Sequence, residues 1–486
     1  MEKKSILKNY IYNLSYQILL IFLPLITTPY VSRVLGAENI GIYGYTLSIV
    51  TYFVLFGALG ISMYAQREIA YVQDNVKQRS KVFFEIVILR AITMTISIIL
   101  YYIFFIRGSQ YQLYYAIFTI ELISTCFDIS WFFQGLEEFK KTVLRNIVVK
   151  LISFTCILIF VKTKNDLNIY ILIYVLSNII GNLSLWLYLP KYIQKISLNE
   201  LQIFKHLKPT LWLFIPQIAI QIYTVLDKTM IGNIVTDKSE VGYYEQAQKI
   251  VKLCLTIVTS LGTVMVPRMA NTFVNGDKQQ LKKYMDSSFK FVYFLAFPIM
   301  IGLLCISAKF VPVFFGDGYD KVIILINIIS PIILFIGISN VLGTQYLLPT
   351  KKQKSFTISV TAGAIINFIL NLFFIQRFGA VGASIATVIA EATVAVIQII
   401  SIRKDFEIRD FIVLAKNNLL AAIVMIIPTL ILGHIIKSPI ISVIIQIGVG
   451  ALTYVGCLFI LKDEMIISTL EKIKKGKFGK WKKLNS

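Results

Sequence analysis

The sequence predicts an all-α, polytopic membrane protein, and three observations support this fold class. Hydrophobic residues make up 57% of the 486 residues and charged residues only 15%, whereas soluble domains carry about 25% charged residues. The apolar residues fall into about fourteen segments, each close to the ~20 residues that an α-helix needs to cross a bilayer. Of the 48 lysines and arginines, 31 lie on one set of alternating loops and tails and 7 on the other set. The positive-inside rule then places both termini in the cytoplasm.

The predicted spans form two six-helix lobes around a central cavity, followed by one extra pair of helices. The first lobe covers residues 1–190, a basic cytoplasmic linker follows at 191–208, and the second lobe covers 209–402. Residues 403–461 hold the last two spans, and 462–486 form a basic cytoplasmic tail. The spans are predicted at residues 13–35, 41–64, 82–106, 111–134, 143–161, 168–189, 209–233, 241–266, 288–308, 321–348, 356–376, 380–401, 416–436 and 440–461.

In the first lobe, the first span contains Pro24 and Pro29, which remove backbone donors and favour a kink. Arg33 at its outer end is a candidate headgroup ligand, although an interfacial anchor is the favoured reading. Arg90 in the third span and Asp128 in the fourth are ionisable groups within apolar segments. Such groups mark a transport path or pair with one another.

Comparison of the chain with itself at an offset of 201 residues indicates an internal repeat. Because each copy holds six spans, an even number, both copies cross the membrane in the same direction and the repeat is parallel. Arg67 and Arg268 lie at equivalent cytoplasmic positions and are candidates for an inter-lobe or gating contact. The matched pairs are Gly41 with Gly242, Tyr43 with Tyr244, Val50 with Val251, and Arg67 with Arg268.

Residues 221–252, at the start of the second lobe, carry a concentration of charge. Asp227 and Lys228 are adjacent within an apolar helix, and Glu245, Lys249 and Lys252 share one face of the next helix. A charge in hydrocarbon costs about 2.5–3.5 kcal/mol on insertion scales, so this face is expected to line a watery interior. The equivalent positions of the first lobe are uncharged. The second lobe is therefore expected to hold an anionic headgroup.

Further polar positions extend this expected cavity. Cationic and amide side chains are candidate ligands for a pyrophosphate or a sugar, and carboxylates are candidates for binding a coupling ion. For each carboxylate, a structural pairing with a lysine remains an alternative. The substrate-binding candidates are Lys228, Lys249, Lys252, Arg33, Arg90, Gln217, Gln221, Asn367 and Asn371, and the ion-coupling candidates are Asp227, Glu245, Glu391 and Asp128.

Several function classes are disfavoured by the sequence. The five cysteines lie far apart within predicted spans, so neither a metal site nor a disulfide framework is expected. The basic residues are scattered over many short loops, which disfavours nucleic-acid binding. Because the chain has no P-loop motif, the expected energy source is an H⁺ or Na⁺ gradient or the substrate flux, and no cofactor is expected.

Five segments, in order along the chain, resemble the Wzx-type polysaccharide repeat-unit flippases. This family belongs to the multidrug/oligosaccharidyl-lipid/polysaccharide exporter superfamily. The resemblance covers nearly the whole chain. Each segment alone is a weak match, but the five segments in this order are specific. The segments are LPLITTPYVSRVLGAENIGIYGY, AQREIA, LDKTMIGNIVTDKSEVGYYEQAQKIV, PRMAN and FGAVGASIATVIAE.

The resemblance implies a transporter, not an enzyme, in the bacterial cytoplasmic membrane. Its implied substrate is an undecaprenyl-pyrophosphate-linked oligosaccharide of an O-antigen, capsule or exopolysaccharide pathway, moved from the cytoplasmic to the outer leaflet by alternating access. The implied partners are membrane lipid and the polymerase and glycosyltransferases of that pathway. In one departure, related lipid II flippases concentrate arginines in the first lobe, whereas the central cations here are mostly lysines of the second.

Two alternative functions remain open from the residues alone. A multidrug antiporter of the same superfamily would prefer a cavity with net carboxylate charge and usually has twelve helices. A polysaccharide polymerase of the same pathway would normally carry a long outside loop with catalytic arginines, and the outside loops here are short. A purely structural scaffold would not need aligned polar faces.

Overall fold

A computed structural model describes the backbone of residues 6–467, and the side chains of that range outside residues 6–18, 20–21, 213, 215–217, 219–223 and 263. The described residues form helices and turns and contain no β-strand, so the predicted all-α class is confirmed. The helices are α1 Ile6–Ala58, α2 Ile61–Tyr71, α3 Val76–Tyr101, α4 Gln112–Cys126, α5 Ser130–Gly135, α6 Phe139–Phe160, α7 Leu167–Trp186, α8 Leu207–Ile234, α9 Ser239–Thr259, α10 Gly262–Val274, α11 Lys278–Phe315, α12 Asp320–Ile329, α13 Ile332–Ser339, α14 Gln353–Phe378, α15 Ala380–Ile402, α16 Ile408–Ile435 and α17 Pro439–Ile460.

Within the described residues, eleven helical segments are long and apolar enough to cross a membrane, or twelve if the pair Ser239–Thr259 and Val264–Val274, bent by 42°, forms one span. Every predicted span overlaps a described helix, with the first two sharing α1. The protein is therefore a multi-span membrane protein, while the total of fourteen spans stays a prediction.

The break in α1 falls at a glycine. Pro24 and Pro29 both lie inside the helix, and the residue with non-helical dihedral angles is Gly36, at φ 77° and ψ 169°. This left-handed φ favours glycine, which has no Cβ. Gly36 thus divides α1 at the boundary that the sequence predicts between the first two spans.

The chain packs as two compact units. Unit 1 comprises residues 1–242 and unit 2 comprises residues 243–486. By packing, α8 belongs to unit 1, although the sequence repeat places it in the second lobe. The predicted lobe boundaries come from the sequence repeat, whereas the two units are defined by packing. The packing therefore does not test the lobe boundaries, which stay a prediction.

Unit 1 is organised around α1, which packs against α3, α4, α6 and α8. A second group, α2, α3 and α5, is held together by a buried aromatic core that includes Phe83, Trp131, Phe132 and Phe133. Residues of the predicted linker, among them Tyr192 and Ile203, pack against this same core. The linker is therefore part of the folded unit.

In unit 2, α14 packs against α15, and α16 and α17 pack against each other and against α11. The last two predicted spans are thus integrated with the helix α11. The side chains of Gln217 and Gln221, and the predicted tail beyond residue 467, lie outside the described residues.

Candidate functional site

A row of hydroxyl and amide groups joins α1 to α8 within unit 1. Tyr45, Ser48 and Tyr52 lie on one face of α1, at i, i+3 and i+7. The Tyr45 hydroxyl donates to Asn233 Oδ1 at 2.7 Å. Thr229 Oγ1 lies 2.8 Å from Ser48 Oγ and 3.2 Å from the Tyr52 hydroxyl. We call this polar contact the α1–α8 seam.

Asp227 lies near the α1–α8 seam, and Lys228 follows it in α8. Asp227 is 5% exposed and its carboxylate interacts electrostatically with Tyr52. Lys228 is half-buried, and both residues have interaction partners. The Asp227 carboxylate therefore lies where α1 supplies hydroxyl groups, an arrangement that permits a buried carboxylate without exposing it to lipid.

A close backbone approach lies at the end of this seam. A Cβ on Gly41 would fall 1.7 Å from the Lys238 carbonyl oxygen, and one on Gly242 would fall 2.0 Å from the Ala37 carbonyl oxygen. Residues 37 and 238 are themselves 201 apart, so the two contacts are equivalent under the offset that relates the repeats. A side chain at either position would clash with the backbone of the other helix segment, which explains why both matched positions are glycine.

The charged face of α9 lies beside a buried face of the same helix. Tyr244 is buried against α15, where its hydroxyl lies 3.0 Å from Thr387 Oγ1, and Gln248 Nε2 donates to the Tyr244 hydroxyl at 2.6 Å. Glu245 and Lys249 are half-buried and Lys252 is exposed. The predicted charged face of α9 is formed by Glu245, Lys249 and Lys252. It therefore lies next to a face of the same helix that packs within unit 2.

Three further candidates from the second lobe lie on α14 and α15. Asn367 and Asn371 are buried, and Asn371 Nδ2 donates to Asn367 Oδ1 at 3.1 Å. Glu391 on α15 is half-buried. The structure places the amides one turn apart in a row, and their assignment to substrate stays a prediction.

Arg90 and Asp128 are brought together in unit 1. Arg90 is 2% exposed, and its Nη1 donates to the Asp128 carbonyl oxygen at 2.9 Å. Asp128 Oδ1 accepts a hydrogen bond from the Ser130 amide at 2.9 Å, at the start of α5. These contacts connect α3 to the break between α4 and α5, which favours the structural alternative for both side chains.

The remaining predicted arginines lie at helix surfaces. Arg33 is exposed on α1, and Arg268 is exposed on α10. Arg67 forms an ion pair with Glu68 at 3.0 Å and lies 5.4 Å from the centre of the Tyr64 ring. The structure thus leaves the headgroup and gating roles of these arginines as predictions.

A buried polar network around Glu85 and His206 was not predicted from the sequence. Glu85 on α3 is 0% exposed. Its Oε2 contacts His206 Nε2 at 2.9 Å and Lys205 Nζ at 2.8 Å, and its Oε1 accepts from the Gln202 amide at 2.7 Å. The Tyr64 hydroxyl completes the set, 2.7 Å from His206 Nδ1. A carboxylate within an apolar span was the available signal, but its partners lie more than 100 residues away along the chain.

The geometry of this network fixes the tautomer of His206. A carboxylate only accepts, so His206 Nε2 must donate to Glu85 and Nδ1 must accept from Tyr64. Burial lowers the pKa of His206, and this effect outweighs the opposing influence of Glu85. The neutral imidazole satisfies every hydrogen bond, whereas protonation of Nδ1 would remove the acceptor for the Tyr64 hydroxyl.

This lowered pKa predicts a loss of stability in acid. The unfolded histidine, with a pKa of about 6.5, binds a proton more readily than the folded one, so stability rises with pH in this range. The contribution of His206 should be complete above about pH 6.5 and should fall as the pH drops toward the folded-state pKa. We expect the melting-temperature difference between wild type and His206→Gln to shrink between pH 7.5 and 5. A difference that is constant or grows in acid would contradict the assignment.

An apolar groove of about 560 Å³ lies in unit 2 between α11, α16 and α17, with two residues of α9 at its edge. Gly302 of α11 lines it, and a Cβ added there would meet nothing within 4 Å. The groove falls within the usual size of a small-ligand pocket. Other lining residues include Cys254, Phe294, Pro298, Leu303, Ile306, Met425, Ile447, Ala451 and Val455.

A multi-span helical fold with polar helix faces and an apolar groove is typical of a membrane transporter. A family model described as polysaccharide biosynthesis protein matches residues 6–273, and one described as lipid II flippase MurJ matches residues 142–449. Each match covers more than half of the 486 residues. The chain belongs to the polysaccharide biosynthesis protein family, and the resemblance to Wzx-type flippases of the exporter superfamily is confirmed.

Relatives and solved structures agree with this family. A candidate O-antigen transporter from Escherichia coli (strain K12) is 26% identical over 83% of this chain and 98% of its own length. Another from Shigella dysenteriae is 23% identical over 78% of this chain and 96% of its own length. The lipid II flippase MurJ, in an inward closed conformation, matches with a TM-score of 0.73 and 21% identity over 95% of this chain and 100% of that chain. An inward-facing MATE family multidrug transporter matches with a TM-score of 0.62 and 12% identity over 84% and 99% of the two chains. The structural matches establish the fold.

Proposed function

We propose that the protein is a flippase that moves undecaprenyl-pyrophosphate-linked oligosaccharide repeat units from the cytoplasmic to the outer leaflet, for surface polysaccharide synthesis. The observation that carries this proposal is the match to candidate O-antigen transporters along nearly their full length. The mechanism would be alternating access in the bacterial cytoplasmic membrane, with both termini in the cytoplasm. Polymerase and glycosyltransferases of the same pathway would be its functional partners.

The proposed substrate has an anionic headgroup and a long apolar tail, and different parts of the protein are suited to bind the headgroup and the tail. Lys249 and Lys252 on α9, and Lys228 on α8, supply cations within apolar helices. A lysine can neutralise a phosphate as a point charge. The apolar groove beside Gly302 suits a stretch of polyprenyl chain, because its lining is almost entirely hydrocarbon.

Coupling to H⁺ or Na⁺ is part of the proposal. Asp227, Glu245 and Glu391 are carboxylates on apolar helices, and a carboxylate in a medium of low polarity binds a proton or a cation to avoid an unpaired charge. Asp227 is the strongest candidate, since it is nearly fully buried beside the Tyr52 hydroxyl.

Lysine-to-alanine substitution on α9 tests the headgroup assignment. We expect the double variant Lys249→Ala, Lys252→Ala to reduce polysaccharide export at least about tenfold, because a charge-assisted hydrogen bond is worth ~1.5–3 kcal/mol. Export is measured by complementation of a strain that lacks its own flippase, with membrane expression verified by immunoblot.

Two controls make that result specific. The variant Lys278→Ala, Lys283→Ala removes two exposed lysines of α11 and should export normally, and Lys249→Arg, Lys252→Arg should retain much of the activity. Full export by the alanine double variant would exclude the headgroup role. A deletion phenotype of drug susceptibility with normal polysaccharide would favour the multidrug antiporter, and loss of polymer with repeat units retained on the outer leaflet would favour the polymerase.

Filling the groove tests the tail assignment. The variant Gly302→Phe places a ring in the apolar groove without a clash at its Cβ, since that position meets nothing within 4 Å. We expect export to fall at least several-fold while folding and expression are retained. Gly456 of α17 is also open within 4 Å and lies outside the groove lining, so Gly456→Phe is the matched control. Equal export by the two variants would show that the tail does not use this groove.

A further inference from the structure

A second cavity in unit 2, of about 500 Å³, is lined by charge instead of hydrocarbon. It lies where α11 and α16 begin and where the chain leaves α17, all on the side that the basic loops assign to the cytoplasm. Its cations are Lys282, Lys290 and Arg409, and its carboxylates are Asp286, Glu407, Asp410 and Glu464. We call this cavity the charged cup.

Two ion pairs build the wall of the charged cup. Lys282 Nζ lies 2.6 Å from Asp410 Oδ2, joining α11 to α16. Lys290 pairs with Glu464 and joins α11 to the segment after α17. These four charges neutralise one another and are accounted for by helix packing.

Three charges remain after this pairing. Among the described residues, the side chains of Arg409, Asp286 and Glu407 have no ion pair within 4 Å, although Lys282 interacts electrostatically with both carboxylates, and Lys290 with Asp286, at longer range. Asp286 Oδ1 is shielded from solvent and accepts no hydrogen bond from the described residues. A buried acceptor without a donor is costly. Arg409 and Glu407 are exposed and are solvated by water, so the unpartnered Asp286 oxygen is the observation that points to a missing ligand.

The charges decide the class of that ligand. The cup as a whole carries three cations against four carboxylates, so a pyrophosphate or a purely anionic headgroup would meet net negative charge. A divalent metal is disfavoured, since the described residues contain no metal-binding group of His, Cys, Asp or Glu. A zwitterion with one phosphate and one ammonium group matches a single arginine beside two carboxylates.

We propose that the charged cup binds the headgroup of an amine-bearing phospholipid, of the phosphatidylethanolamine type, from the cytoplasmic leaflet. Arg409 would donate to the phosphate, and Asp286 and Glu407 would accept from the primary ammonium, which has three donors. Val413 lines the cup and is 60% exposed, and Ile412 beside it is exposed as well. These side chains give the acyl chains an apolar path from the cup into the bilayer.

The site is independent of flipping, so binding tests it directly. The full-length protein is purified in detergent, and its melting temperature and native mass spectrum are measured with phosphatidylethanolamine, phosphatidylcholine or phosphatidylglycerol of identical acyl chains. We expect at least about tenfold tighter binding of phosphatidylethanolamine than of phosphatidylcholine, whose trimethylated nitrogen cannot donate hydrogen bonds. The variants Arg409→Gln and Asp286→Asn should each lose most of this preference.

Matched controls are Arg403→Gln and Asp317→Asn, which alter exposed charges outside the cup. These should keep the preference for phosphatidylethanolamine. The proposal is overturned by equal binding of the three lipids, by a preference for phosphatidylglycerol, or by a preference that survives in the double variant Arg409→Gln, Asp286→Asn. Because no outcome depends on export, a failed flippase assignment would leave this result intact.

Discussion

Alanine at Gly242, like alanine at its repeat equivalent Gly41, is expected to disrupt the protein severely. Its Cβ would lie 2.0 Å from the Ala37 carbonyl oxygen, whereas carbon and oxygen normally approach no closer than about 3.3 Å. The obstructing atom is backbone, so no side-chain rotation relieves the clash and the helices must separate. Overpacking in a core costs about 1–3 kcal/mol, occasionally more. We expect the upper end of that range or beyond for Gly242→Ala, and the same for Gly41→Ala.

The measurement is the yield of monodisperse protein and its melting temperature in detergent, together with export in the complemented strain. Gly456→Ala is the matched control, because that helical glycine has nothing within 4 Å of an added Cβ. Alanine there should be neutral or stabilising by up to about 1 kcal/mol, since it favours helix. If Gly242→Ala were as stable and active as Gly456→Ala, the close backbone approach would not exist in the membrane.

The glycine pair shows what the sequence could supply. Its offset of 201 residues identified Gly41 and Gly242 as equivalent, and apolar length and charge bias predicted the helices. These are local or periodic properties, which a single sequence records directly. The close approach of Gly41 to Lys238 was not predictable, because it depends on which helices meet.

The candidate site divides in the same way. Asp227 and Lys228 were predicted from charge within an apolar helix, and the structure shows that Asp227 interacts electrostatically with Tyr52 of α1, a residue that carries no signal of its own in the sequence. For Arg90 and Asp128, charge in a span suggested transport, but the structure shows Arg90 bonded to the Asp128 backbone. A buried charge has the same sequence signature whether it binds substrate or holds two helices together, so only its partners separate the cases.

The linker illustrates a long-range interaction that no local pattern predicts. Residues 191–208 were predicted as a basic cytoplasmic connection, yet Arg79 Nε donates to the Tyr192 carbonyl at 3.1 Å and Ser80 Oγ accepts from the Gln194 amide at 2.9 Å. Together with the Glu85 network, these bonds hold the linker against unit 1 at both of its ends. Removal of the central carboxylate should therefore affect the whole segment.

Glu85→Ala is expected to destabilise unit 1 by about 3–5 kcal/mol, the range seen when one member of a buried charged network is removed. The substitution leaves His206 Nε2, Lys205 Nζ and the Gln202 amide without their shared acceptor. His206 is buried, so its Nε2 then loses a hydrogen bond that water does not replace, whereas the exposed Lys205 and Gln202 can bond to water. Glu85→Gln should cost less, because its amide oxygen still accepts from one donor.

The melting temperature and protease resistance of the linker report this effect, with cleavage expected to increase within residues 191–208. Glu68→Ala is the matched control, since the partly exposed Glu68 carboxylate pairs only with the exposed Arg67 among the bonds described and such surface pairs contribute about 0–1 kcal/mol. A Glu85→Ala variant no less stable than Glu68→Ala would mean that the linker is held by its apolar contacts with the aromatic core, and not by the carboxylate. The stability difference between these two glutamate variants therefore measures how much of the linker's anchoring is electrostatic.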